Sequence, residues 1–389
     1  MLSFIVFSML LNSMSVIILQ LSQNQQHSYT GLGMLEFFKD IPIALVSIFM
    51  VDYIKKRSYY ISLSIALIIC TLCSFTIPFV SEFWFLKIWF ILIGISFSIG
   101  KICVFSIIKN ISDNEKDFSK TMSRTEAAFM LGVFIVNIEF AIILNSDYKD
   151  YWKFGFWLVG IISSWAAFQF YRIDQQNVFE IDKSQGKEVI DFRILFDYKS
   201  ILFFTIVVII VFTEQIFNSW LPTFYKHTLK ADSFFALQSS AFLALFSFIG
   251  RLLASKAVVK FSPMKIFFFC LISGIILTSS AYIIGQDTDV KVKILMFLFP
   301  MVGIFTAPLY PMLNSKYLSK FSERRVGKIV SIIILFTSLG GSIGSMSTAY
   351  IFQKNLGNYY LLFATIPLIL ILIFSTFFSI KEKISEYIK

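Results

Sequence analysis

"LEFFKDIPIALVSIFMVDYIKKR", residues Leu35 to Arg57, is the stretch whose reading decides the fold class. Its apolar centre is long enough to lie in lipid. Yet three ionisable side chains, Glu36, Lys39 and Asp40, open it, and Asp52, Lys55, Lys56 and Arg57 close it. Within a membrane this order has a physical reading. Charges at one end are tolerated where they face protein or an aqueous cavity, and a basic cluster at the other end marks the water interface.

The rest of the chain agrees. Its 389 residues are 57% apolar and 15% charged, with 18% aromatic residues and a mean hydropathy of +0.76. A soluble chain carries about a quarter charged residues. Apolar runs of about twenty residues, the length a helix needs to cross the hydrocarbon, recur throughout. They predict twelve transmembrane helices near 2–20, 33–51, 59–79, 84–108, 121–145, 153–171, 200–219, 235–258, 265–285, 293–318, 329–352 and 359–380. Spanning strands are only about ten residues long and alternate in polarity, so the expectation is an all-α integral membrane protein. The first span has no basic leader and no small-residue cleavage site, and is expected to be a retained helix.

A net charge of +10 raises the question of a nucleic-acid partner, but its placement answers it. With both termini cytoplasmic, the inner loops carry roughly three times the Lys and Arg of the outer ones, as the positive-inside rule requires. The basicity therefore reports topology in a cell inner (plasma) membrane and contact with anionic lipid, and no nucleic acid is expected. Cys70, Cys73, Cys103 and Cys270 all fall within spans. The CxxC of the first two has no further Cys or His nearby, so they read as small packing residues. No P-loop pattern is present, and no cofactor or metal is expected.

One long polar interruption divides six spans from six. It predicts an N-terminal half over 1–172, a cytoplasmic linker over 173–199 and a C-terminal half over 200–389, duplicated around a pathway. The third, sixth, ninth and twelfth spans have no ionisable residue in their cores. The others hold Glu36, Lys39, Asp40, Lys87, Lys101, Arg124, Glu126, Glu139, Glu214 and Arg251. A charge at mid-bilayer costs roughly 2.5–3.5 kcal/mol on insertion scales, so these residues should face a protein interior or cavity while every third helix faces lipid.

At these residues the chain resembles the major facilitator superfamily. "VDYIKKR" (Asp52, Lys55, Lys56, Arg57) looks like a degenerate form of the family's motif between its second and third helices. "GRLLASKAVVKFSPMK" (from Gly250) looks like the second-half copy, with Val259 where the family usually carries an acid. "LEFFKDIPIALVSIF", "TEQIFNSWLPTFY", "GIFTAPLYPMLNS" and "SLGGSIGS" are most similar to the fucose-permease-like sugar–proton symporters and their relatives. The resemblance implies alternating access around a central cavity. The fifth span has Gly132 and no proline where proton-driven drug exporters of the family carry a Gly-Pro-rich motif, which weighs against export.

The residues themselves supply candidates. Glu36, Lys39 and Asp40 share a broad helical face and could form either a proton-binding cluster on the cavity or a static ion-pair network. Lys101 and Glu126 lie at comparable depth and are expected to pair. Glu214 is the leading candidate for coupling or substrate binding, with Gln215 and Asn218 as hydrogen-bonding groups. Trp220 reads either as an apolar surface for a sugar or as an interfacial belt residue. Tyr310 and Asn314, four apart among Pro300, Pro308 and Pro311, share a face of the tenth span. Asp52, Lys55, Lys56, Arg57, Arg124 and Arg251 are expected to support an inner gate. The function expected is secondary active transport of a small polar solute by a monomer, as proton-coupled sugar import. The alternatives are export of a siderophore, drug or metabolite, or carriage of an organic anion or amino acid.

Overall fold

Helices follow from the apolar runs, and prolines, glycines and polar turns break them. The computed structural model describes residues 1–23, 28–50, 53–54, 58–80, 82–111, 115–175, 197–258, 260–285, 295, 298–318 and 323–387. Asp52, Lys55, Lys56 and Arg57 lie outside the described residues, as does most of the linker. The first half comprises α1 (Leu2–Asn12), α2 (Met14–Gln23), α3 (Tyr29–Gly33), α4 (Leu35–Phe49), α5 (Tyr59–Thr76), α6 (Phe83–Ile111), α7 (Glu115–Leu144) and α8 (Phe156–Gln175). The second comprises α9 (Tyr198–Thr223), α10 (Ser233–Ala257), α11 (Pro263–Gly285), α12 (Val302–Thr306), α13 (Leu309–Leu318), α14 (Glu323–Gln353) and α15 (Tyr360–Tyr387).

The fold is all-helical among the described residues, and ten helical segments there are long and apolar enough to cross a membrane. The two sequence spans that differ have local causes. α4 is 15 residues long and carries its three charges in its first two turns. The tenth span is interrupted between α12 and α13, where Pro308 follows Ala307 and cannot donate a backbone hydrogen bond.

The helices without charges in their cores pack against one another at the flanks of the bundle. α5 lies against α8, and α11 against α15; each presents large apolar side chains outward, such as Ile68, Trp165, Phe269 and Ile373. The halves meet where α4 packs on α14, α7 on α10, and α2 on α9. Within the second half, Gly340 and Gly344 let α14 lie directly on the α9 backbone at Val208 and Phe212. A Cβ at Gly344 would stand 2.6 Å from the Phe212 carbonyl. Cys70 and Cys73 are buried on α5, and the Cys73 carbonyl accepts from Trp89 Nε1 at 2.9 Å.

Candidate functional site

Two polar layers lie between the halves. The first is at the end of the bundle away from the linker. Glu36, Lys39 and Asp40 are all buried there, and Lys39 bridges the two acids, contacting Glu36 directly and reaching Asp40 Oδ1 at 3.8 Å. The helical repeat puts the three on one face, and that face meets the second half. Gln215 Nε2 donates to Glu36 Oε1 at 2.5 Å, Ser219 Oγ donates to the same oxygen at 2.7 Å, and Ser342 Oγ donates to Asp40 Oδ2 at 3.1 Å. Gly341 makes room for Asp40, since a Cβ there would lie 2.8 Å from Oδ2. The cluster therefore faces α9 and α14 rather than open space.

Beyond it the end of the bundle is sealed by smaller contacts. The Tyr29 amide donates to Gln353 Oε1 at 2.9 Å, and Ser22 Oγ lies 3.1 Å from His227 Nε2. Trp220 belongs to this seal and to neither of the roles expected of it. It is fully buried, its Nε1 donates to Ser345 Oγ at 2.9 Å, and its ring stacks on Phe352 with centroids 5.5 Å apart. Gln215 likewise serves the Glu36 cluster rather than Glu214, because adjacent helical residues diverge by about 100°.

The second layer lies deeper, toward the linker. Arg251 Nη1 on α10 meets Glu126 Oε2 on α7 at 3.3 Å, an ion pair that joins the halves. This corrects one expectation: Glu126 pairs with Arg251 and not with Lys101. Arg124 is exposed. Lys101 makes no ion pair among the described residues. Its ammonium lies over the rings of Phe97 and Phe105, 5.7 Å from each centroid, within the electrostatic reach of Glu126 and Arg251.

Beside this pair is a cavity of about 30 Å³ lined by Met130 from the first half and by Glu214, Phe217, Asn218, Leu243, Ser247, Arg251, Thr306 and Ala307 from the second. It can hold about one or two waters and no larger solute. Tyr310 on α13 stands close to Asn314, one turn on, and within electrostatic reach of Glu126, Glu214 and Arg251. Three polar atoms here, Glu214 Oε1, Asn314 Oδ1 and Arg251 Nε, are buried without a hydrogen-bond partner among the described residues. Unsatisfied buried polar groups are costly, and two of these, on Glu214 and Arg251, belong to residues that line the cavity, where a ligand's own hydrogen-bonding groups would satisfy them. Ser219, Ser342, Ser247 and Met130 were missed by sequence reasoning. Only Ser219 had a signal, being one turn from Gln215 on the same face.

A family model described as Major Facilitator Superfamily matches residues 1–345. The chain belongs to that superfamily. It is accordingly a multi-pass membrane transporter and not an enzyme. Among solved structures, this major facilitator is similar to a D-xylose-proton symporter, with a TM-score of 0.74 and 16% identity over 96% of this chain and 95% of that one. It is also similar to a bacterial homologue of the human lysosomal transporter Spinster in an inward-facing, occupied conformation. There the TM-score is 0.68 and the identity 14%, over 97% of this chain and 95% of that one. At such identities the likeness is one of fold alone. No curated protein sequence matches the chain.

Proposed function

We propose that this major facilitator imports a small polar solute, of the sugar class, together with a proton by alternating access. The observation that carries the reading is Glu214, a carboxylate within the bilayer span whose Oε1 is buried and unpartnered at a cavity between the halves. Such a group is costly to keep charged in lipid, and a proton or a ligand hydroxyl relieves the cost. Asn218 offers a neutral hydrogen-bonding group and Phe217 an apolar wall, with Tyr310 and Asn314 close by on α13, the mixture of groups that recognises a polyol once the halves part and the cavity widens. The resemblance to fucose-permease-like symporters and the fold shared with a protein named as a D-xylose-proton symporter support the same reading.

In this reading the positive-inside pattern places the linker in the cytoplasm of a cell whose plasma membrane holds the chain. The end sealed by Glu36, Tyr29 and Trp220 is then the outer end. The Glu126–Arg251 pair, with a third of the Glu126 side chain exposed, lies on the inner side of the cavity.

The test is Glu214→Gln in proteoliposomes with an imposed pH gradient. Uphill accumulation of the substrate should disappear while exchange of labelled for unlabelled substrate continues. Accumulation at the wild-type level would remove Glu214 as the coupling group and this reading with it.

A further inference from the structure

Lys101, on α6, is a cation to which the mechanism above gives no work, and it lies near the ion pair that joins the halves. It lies ten residues from the end of α6, inside the fourth span, partly buried. Glu126, an acid within its electrostatic reach, is already engaged by Arg251 at 3.3 Å. Phe97 and Phe105, one turn before and one turn after it on the same helix, flank the ammonium at 5.7 Å each. Their rings steady it laterally without supplying a counter-charge. A lysine held this way, in the field of an ion pair that joins the two halves, is poised for a mobile anion.

We infer that the substrate is a hydroxylated monocarboxylate, a sugar acid or related hydroxy acid, whose carboxylate is received by Lys101 while its hydroxyls meet Glu214, Asn218 and Asn314. The inference rests on the proton-coupled reading above and refines its substrate class. The charge count favours a single negative charge. Lys101 and Arg251 contribute two positive charges, and Glu126 and Glu214 two negative. When Glu214 carries the transported proton the site is left with one excess positive charge, which a monoanion cancels. A phosphate monoester would leave a buried negative charge in its place. The three orphan atoms match the rest of the molecule: hydroxyls donate to Glu214 Oε1 and Asn314 Oδ1, and a hydroxyl oxygen accepts from Arg251 Nε.

The consequence is a distinctive stoichiometry of charge. A monoanion moving with one proton carries no net charge, whereas a neutral sugar moving with one proton carries one. The experiment uses purified full-length protein in proteoliposomes, with D-gluconate, D-glucuronate, D-glucose, D-xylose and glucose 6-phosphate as probes and an internal pH dye as readout. A potassium diffusion potential is imposed or omitted. The expected result is proton entry on adding gluconate or glucuronate, unaffected by the potential. In Lys101→Gln it should fall about thirtyfold or more, and in Lys101→Arg it should be largely retained.

Proton entry with a neutral sugar alone, accelerated by an inside-negative potential, overturns the acid substrate and leaves the sugar-symport reading standing. Uptake of the phosphate ester in preference to the acids overturns the monoanion argument. Proton movement with none of the probes overturns both readings. Acid uptake unchanged in Lys101→Gln removes Lys101 as the receiving group and overturns the inference at its base.

Discussion

At the scale of single residues, the arrangement turns on how buried charges are compensated. Lys39 holds two carboxylates that would otherwise face each other one turn apart in a dry interface. Removing one partner of a buried ionic group costs about 3–5 kcal/mol, much of it the isolated charge left behind. Lys39→Met should therefore lower the thermal unfolding midpoint in detergent sharply. Adding Glu36→Gln and Asp40→Asn to it should restore most of the loss; a triple variant no more stable than Lys39→Met would sink the ionic account. Trp220 gives the opposite expectation for function. Its indole donates to Ser345 and is not part of the cavity lining. Trp220→Phe should cost about 0.5–1.5 kcal/mol of stability, the net worth of one hydrogen bond, and leave the substrate KM unchanged. A raised KM would put the ring back in the binding site.

At the scale of elements, the contact of α9 with α14 is decided by two glycines one turn apart, and no larger residue fits there. Gly344→Val introduces side-chain atoms where the Phe212 carbonyl already stands, and helices kept apart lose packing along their whole length. The expected outcome is an aggregated elution profile on size exclusion, with Gly274→Val on α11 as the tolerant control, since its nearest neighbour would lie 3.7 Å away. The break between α12 and α13 has the reverse logic. Pro308 costs a backbone hydrogen bond, and such a break is tolerated at membrane depth where the freed groups line a cavity. Thr306 and Ala307, just before the break, line the cavity, while the carbonyl that Pro308 leaves without its donor is that of Ile304, packed against Gly250.

At the scale of the whole molecule, the two halves are closed on each other at the end away from the linker. Ser22 and His227, close enough for a hydrogen bond at 3.1 Å, give a direct handle on that closure. A Ser22→Cys, His227→Cys pair in a chain with the native cysteines replaced should form an oxidant-dependent cross-link that stops transport reversibly. Transport that continues in the cross-linked protein would show that this end need not open. Accessibility gives a second check. Asn218→Cys should react with a membrane-impermeant maleimide during turnover, whereas Ile68→Cys, which is exposed to lipid, should not.

The sequence determined the solvent, the helices and the division of labour among them. Apolar runs of spanning length require helices in lipid, because every backbone polar group must be satisfied within its own segment. The confinement of charge to particular spans then separated Glu36, Lys39, Asp40, Glu126, Glu214 and Arg251 from the helices that face lipid. These are local properties of composition and period, and one chain suffices to read them. Partners across the halves are not local. Glu126 and Lys101 looked matched in depth, but pairing depends on which faces of α6, α7 and α10 converge, and Arg251 from 125 residues away arrives first. Gln215 and Trp220 adjoin the Glu214 region in sequence, yet the helical turn carries them to the seal, toward Glu36 and Ser345. Only the tertiary structure decided these partnerships, because the direction of a side chain follows from helix rotation and packing, which neither hydropathy nor spacing encodes.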